Sequence, residues 1–177
     1  MRRLSILVLL IVSACASEPR APVPPPPKPV VMVPPTVPPP APVAADWIDR
    51  PITPGDWAYR RDERGSVAMF GVVGADADFL IRCVTATKRI YLSRSGAFPA
   101  GVTGQMTIRA STGLKSYGVT NNGDTPPYVS AFLTPDDAHL DAIAFSRGRF
   151  LVAVKGATDL IIPAWPEIAH VIEDCRA

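Results

Sequence analysis

Cysteine and histidine are scarce in this chain of 177 residues, three of the first and two of the second. The cysteines, Cys15, Cys83 and Cys175, form neither a CxxC pair nor a Cys/His cluster, so the ligand spacing of a zinc site is missing. A basic excess is missing as well. The chain carries 18 Lys and Arg against 16 Asp and Glu, and without Arg2 and Arg3 the two signs balance at 16 each. Such a balance lacks the electrostatic footprint of a nucleic-acid binder. Long apolar runs are also lacking. Leu4 to Val12, nine residues interrupted only by Ser5, falls far short of the roughly 20 residues of a membrane-spanning helix. No metal, cofactor or nucleic-acid partner is expected from these absences.

What is present starts with the amino terminus. Met1-Arg2-Arg3 gives a positive end, the short apolar run follows, and Ser13 and Ala14 lead into Cys15. Basic start, short apolar stretch and small residues make a secretory signal segment with a cleavage site. Val12-Ser13-Ala14-Cys15 resembles the bacterial lipoprotein lipobox. The resemblance implies that the Cys15 thiol receives a diacylglycerol, that residues 1–14 are removed and that the new amino terminus is acylated. Ala16, rather than an aspartate, resembles the outer-membrane sorting signal of that family. The alternative is an ordinary signal peptide that happens to contain a cysteine.

Residues 15–45 read as the lipidated cysteine and a linker. Of the 30 residues from 16 to 45, 13 are proline, including Pro24 to Pro27 and Pro38 to Pro40. Proline fixes its own φ and pushes the preceding residue to extended geometry, so helix is excluded and polyproline II favoured. The segment is expected to be a stalk without a fold of its own, reaching on the order of 90 Å at about 3.1 Å per residue. A ligand for proline-binding modules is the competing reading.

The globular part is expected over 46–177 and reads as mainly β, a sandwich or barrel-like domain with one short internal helix and one carboxy-terminal helix. Period-two alternation marks strands at 56–61, 66–70, 78–84, 88–94, 105–110, 114–120, 150–154 and 159–162. Thr134-Pro135-Asp136-Asp137 has an N-cap residue, a proline at the first helical position and two first-turn acids, which predicts a helix to about Phe145. A second helix is predicted from Trp165-Pro166-Glu167 to about Arg176. Trp165, Ile168, Ile172 and Cys175 form its apolar stripe.

With Cys15 lipidated, Cys83 and Cys175 remain as an even pair in an exported, oxidising compartment, where disulfides persist. Cys83 shares a strand face with Phe79 and Ile81, and Cys175 lies on the helical stripe, so a bond between them is expected. The alternative is two unpaired buried thiols. The globular segments Thr53-Pro54-Gly55-Asp56-Trp57, Leu80-Ile81-Arg82-Cys83, Ala144 to Phe150 and Pro163 to Ile168 resemble uncharacterised envelope lipoproteins of alphaproteobacteria. More distantly, Leu80 to Cys83, Met106-Thr107-Ile108-Arg109 and a cysteine-ended helix resemble VasI-type accessory proteins of type VI secretion and invasion-associated locus B proteins. The resemblance implies a shared β-sandwich.

Catalytic constellations are thin. Ser146, His170 and Asp174 can be written as a triad, yet Ser146 lacks a nucleophile elbow. Asp136 and Asp137 suit a helix start, and Asp141 follows one turn later. Arginine offers more: Arg82, Arg89 and Arg109, with Tyr91, fall at outward strand positions and would form a patch for carboxylates or phosphates through forked hydrogen bonds. Alternatively these arginines pair with Asp56, Asp78 or Glu63 on a solvated face. The expected function is a non-enzymatic binding or structural role in the bacterial envelope. The protein would be anchored to the outer membrane by lipid, with the domain in the periplasm and an envelope protein or the cell wall as partner. A secretion-system accessory and a cell-wall hydrolase are the competing classes.

Overall fold

A computed structural model describes residues 46–177. Cys15, the signal segment and the proline-rich linker lie outside the described residues. Nine strands alternate with short turns: β1 Asp56–Asp62, β2 Gly65–Gly71, β3 Phe79–Val84, β4 Arg89–Ser95, β5 Gly104–Ala110, β6 Gly113–Asn121, β7 Tyr128–Leu133, β8 Arg149–Val154 and β9 Leu160–Pro163. Helix α1 spans Ala138–Ala144 and α2 spans Pro166–Arg176. The expected mainly β domain with an internal and a carboxy-terminal helix is what forms. Among the described residues no helix is long and apolar enough to cross a membrane.

All neighbouring strands are antiparallel, in the order β1-β2-β3-β4-β7-β6-β5-β8-β9. The sheet is curled. The Trp57 indole N–H on β1 donates to the Pro163 carbonyl on β9 at 2.8 Å, joining the first strand to the last. Phe79 on β3 meets Phe150 on β8 edge-on at 6.1 Å. A seam divides the sheet in two, because β6 follows β5 from Gly113 to Val119 but pairs with β7 only at Thr120 and Asn121. Strand β9 would be an open edge. It is capped by the segment before β1, whose Thr53 N–H donates to Ile161 O while its hydroxyl accepts from Ile161 N–H, both at 2.9 Å. Gly55 then lets the chain pass Gly71 at φ +148°, where a Cβ would come within 2.9 Å of backbone.

Inward positions fill the concavity. Trp57, Phe70, Phe79, Ile81, Cys83, Ile90, Leu92, Met106, Ile108 and Phe150 are all buried, each fully buried large side chain contributing about 1.5–3 kcal/mol from area removed from water. Helix α2 covers β2 and β3, α1 covers β5 and β6, and the helices touch. A smaller cluster, Trp47, Leu151 and Ile161, sits on the opposite face of the β8–β9 half.

Three details depart from the sequence expectation. Tyr128–Leu133 is a strand that the alternation scan passed over; it lies centrally between β4 and β6. Helix α1 is shorter than expected. Thr134 opens a turn, its carbonyl accepting from Asp137 N–H at 3.1 Å, and Asp137 is the N-cap that accepts from His139 N–H. Trp165 is 42% exposed, as N-cap of α2 rather than part of its buried stripe, which is Ile168, Val171, Ile172 and Cys175.

Cys83 and Cys175 are disulfide-bonded, with Cα atoms 5.4 Å apart and a sequence separation of 92. Closing a loop of that length removes about 4–5 kcal/mol of unfolded-state freedom in the chain-entropy account. We expect the unreduced protein, denatured and titrated for thiols, to show none from Cys83 or Cys175. Replacing both by alanine should lower the unfolding free energy by about 2–5 kcal/mol in urea. Unchanged stability in that double variant would refute this account of the bond.

Candidate functional site

Inward residues of β3 and β4 are apolar, and the alternate positions build an outward row across five strands. Register places Arg60, Val67, Arg82, Tyr91 and Phe132 side by side on β1, β2, β3, β4 and β7. Arg89 stands two positions before Tyr91, on the same outward side. Its guanidinium carbon lies 4.4 Å from the centre of the Phe132 ring, and the Tyr91 and Phe132 rings are 6.2 Å apart. Phe132 is nevertheless 59% exposed. Among the described residues no carboxylate pairs with Arg89.

Arg82 differs. One of its terminal nitrogens donates to both oxygens of Asp62, at 2.9 and 2.8 Å. Burial opposes the Asp62 charge, but hydrogen bonds from Arg82 and from the Arg64 N–H, with both guanidinium charges, outweigh it and hold the carboxyl below its usual range. The Arg82 charge is therefore matched internally, by Asp62 and not by the acids the sequence suggested.

Arg109 does not join the others. It is outward-facing on β5, but β7 and β6 stand between β5 and β4, which separates it from Arg89 by about 14 Å of sheet. Its guanidinium carbon lies 6.0 Å from the Trp47 ring, beside Leu151, its partner on β8. The expected four-residue patch is thus corrected. Arg89 and Tyr91 gather around Phe132, Arg82 flanks them as half of an ion pair, and Arg109 belongs to another face. Phe132 was missed with its strand, although Val129, Ala131 and Leu133 alternating with Ser130 after Pro126-Pro127 carried a usable signal.

The triad does not assemble. Ser146 is buried in a loop, where its hydroxyl donates to Arg149 O and accepts from Ser111 N–H. Asp174 accepts from the Tyr59 hydroxyl at 2.6 Å and pairs with Arg61, while His170 packs its ring edge-on against Tyr59. These contacts fasten α2 to β1. Arg94, at the end of β4 on the inward side with Ile90 and Leu92, is buried and donates to the carbonyls of Asp78 and Ser95.

His139 is the buried histidine. Its Nδ1 lies 2.6 Å from the Tyr117 hydroxyl, and its Nε2 is enclosed with no partner among the described residues. Asp137 and Lys115 face it, joined at 2.6 Å. Burial pushes the His139 pKa down, against the opposing pull of the Gly113 backbone and the Asp137 charge.

No protein-family model, curated protein or solved structure matches this chain.

The depressed His139 pKa fixes a sign. The unfolded chain takes up the proton near pH 6.5 and the native chain only at lower pH. Stability is therefore full above pH 6.5 and declines as pH falls from there toward the native value, by at most about 1.4 kcal/mol per pH unit. Asp62, Asp137 and Asp174, all held below the usual 3.8, lose their contribution only in more acid solution. Urea unfolding at pH 7 and pH 5 should show a loss in the wild type that is smaller in His139→Gln. Equal losses would contradict the buried neutral imidazole.

Proposed function

We propose that this protein is a lipid-anchored bacterial envelope lipoprotein with a non-enzymatic binding role, and that the face around Phe132 meets an anionic envelope partner. The observation that carries the binding reading is the Arg89 guanidinium stacked on the exposed Phe132 ring beside Tyr91. A cation above an aromatic face is a modest surface attraction, about 0.5–1 kcal/mol at exposed sites. Held over the ring, the guanidinium keeps N–H donors for forked hydrogen bonds to a carboxylate or phosphate. In a chain with balanced charge such a patch is a local field, which salt screens over about 8–10 Å.

Anchoring rests on the lipobox-like Val12-Ser13-Ala14-Cys15, and Ala16 favours the outer membrane. The disulfide suits an oxidising compartment such as the periplasm. The resemblance to uncharacterised alphaproteobacterial envelope lipoproteins agrees with that placement.

Two experiments test the two halves of this reading. Labelled palmitate fed to cells should enter the wild type and miss Cys15→Ser, since a hydroxyl does not replace the thiol acceptor; equal label in both would end the anchored reading. For the patch, Arg89→Gln with Phe132→Ser should lower the yield of envelope crosslinks several-fold at low salt, with a smaller difference at moderate salt. Arg109→Gln, on another face, should leave the yield unchanged. An undiminished yield in the double variant would leave the row a solvated surface.

A further inference from the structure

The seam between β6 and β7 leaves main chain without a partner on both of its banks. Ala110 and Gly113 pair across the two-residue turn Ser111-Thr112, so Gly113, Lys115, Tyr117 and Val119 turn their N–H and C=O groups to β5. Those of Leu114, Ser116 and Gly118 point the other way, toward β7. On β7's side, the Pro127 carbonyl accepts from Gly96 N–H beyond β4, and the Tyr128 carbonyl accepts from Asn122 N–H beyond β6, at 3.0 and 2.9 Å. Alternation then turns Ser130 and Phe132 to β6 as well. The two strands meet only at Thr120–Ser130 and Asn121–Val129. One step further, where Gly118 would face Phe132, they have parted. Among the described residues no strand, turn or side chain takes up the main chain of Leu114, Ser116, Gly118 or Phe132.

Exposure marks the same edge. Leu114, Lys115 and Ser116 are exposed in succession, on both faces of β6, whereas β5 beside it keeps Met106 and Ile108 buried. From inside, the start of α1 roofs the seam: Asp137 holds Lys115 at 2.6 Å, and His139 lies against Tyr117. From outside it is open. Its two banks carry exposed apolar side chains, Leu114 at 60% on β6 and Phe132 at 59% on β7. The fold caps the β9 edge with Thr53 and leaves this one uncovered.

We propose that the seam takes an added β-strand from a protein partner, an extended acidic segment that hydrogen-bonds to the β6 edge from Leu114 to Gly118. This rests on the reading that the Phe132 face binds a partner, and it names the form of that partner. Main-chain pairing gives such a segment its affinity, and its alternate side chains give specificity. Apolar side chains of the segment pack between Leu114 and Phe132. Its carboxylates meet Arg89, which is stacked on the Phe132 ring and has no carboxylate partner among the described residues. Lys115, the one cation on β6, is already held by Asp137, so the charge left to match at the seam is that of Arg89.

The probe is a fluorescent, end-blocked hexapeptide of alternating valine and glutamate, titrated into the full chain in detergent. One control has the same side chains with every main-chain nitrogen methylated, and another has lysine in place of glutamate. The plain peptide should bind roughly tenfold more tightly than either. Ser116→Pro removes a seam-facing N–H and no ladder bond, a position at which an edge strand tolerates proline. It should bind the peptide roughly tenfold more weakly while melting like the wild type, and Lys115→Pro, whose N–H serves β5, should melt lower. No binding of the plain peptide, equal binding of the methylated one, tighter binding of the lysine one, or full affinity in Ser116→Pro would overturn the proposal. Should Ser116→Pro melt far lower, hydrogen exchange in the wild type decides. Slowed exchange at Leu114, Ser116 and Gly118 on adding the peptide supports the added strand, and unaltered exchange overturns it. Protection there that grows with protein concentration, without peptide, would give the edge to a second copy and also overturn it. Envelope crosslinks lost in Arg89→Gln with Phe132→Ser but kept in Ser116→Pro would end strand addition and leave the Phe132 face a binding surface.

Discussion

The bond between Cys83 and Cys175 is the constraint on which the rest of the domain depends. It joins the middle of the β1–β4 half to the last turn of the chain, so the covering helix cannot leave the concave face without carrying β3 with it. Around it the domain adds weaker fasteners of the same sense. Asp174, one residue before Cys175, takes hydrogen bonds from Tyr59 and Arg61 on β1, and Arg176, one residue after, donates to Asp141 on α1 at 2.8 Å. Single surface ion pairs contribute little. Here they act on a helix already fixed covalently, which lowers the entropy each must overcome.

With the helix in place, the inner face of the sheet is committed to packing and chemistry is left to the outer face. That division explains why the residues most suggestive of catalysis turned out to be structural. Ser146 locks a loop, Asp174 clamps a helix, and His139 is enclosed with Tyr117. What remains outward on the first half is an aromatic pair with Arg89, which has no carboxylate partner among the described residues. That face is arranged before any ligand arrives.

Much of this was legible in the chain itself, for identifiable reasons. Eight of the nine strands were found from sequence alternation, which is cleanest in β3, where one face is buried and the other half-exposed, and the cysteines could be paired because each fell on a buried face. The errors came where local rules compete. Thr134-Pro135 carries the residue types of a helix start, yet Asp137 wins the cap, and Trp165 continues the apolar spacing of α2 while standing outside its first turn. The strand Tyr128–Leu133 follows Pro126-Pro127, whose turn character masked the alternation behind it. Missing that strand hid Phe132, and with it the centre of the patch. Arg109 was misplaced for another reason. Alternation says which face a residue is on but not how many strands lie between two residues, and β7 inserts between β4 and β6 out of sequence order.

The way the chain enters the domain has a mechanical consequence. Everything before Asp46 joins the fold through Trp47, which rests with Leu151 and Ile161 on a small cluster outside the main core, and then through Thr53 along β9. A pull on that end loads this satellite first, by shear of a few contacts, before any force reaches the β1–β2 ladder. The segment enclosed by the disulfide, 83–175, starts beyond the stretch that yields. Under tension the domain would release slack from 47 to 55 and bare the β9 edge while its cross-linked interior stays folded, a mechanical fuse placed where the chain leaves the fold.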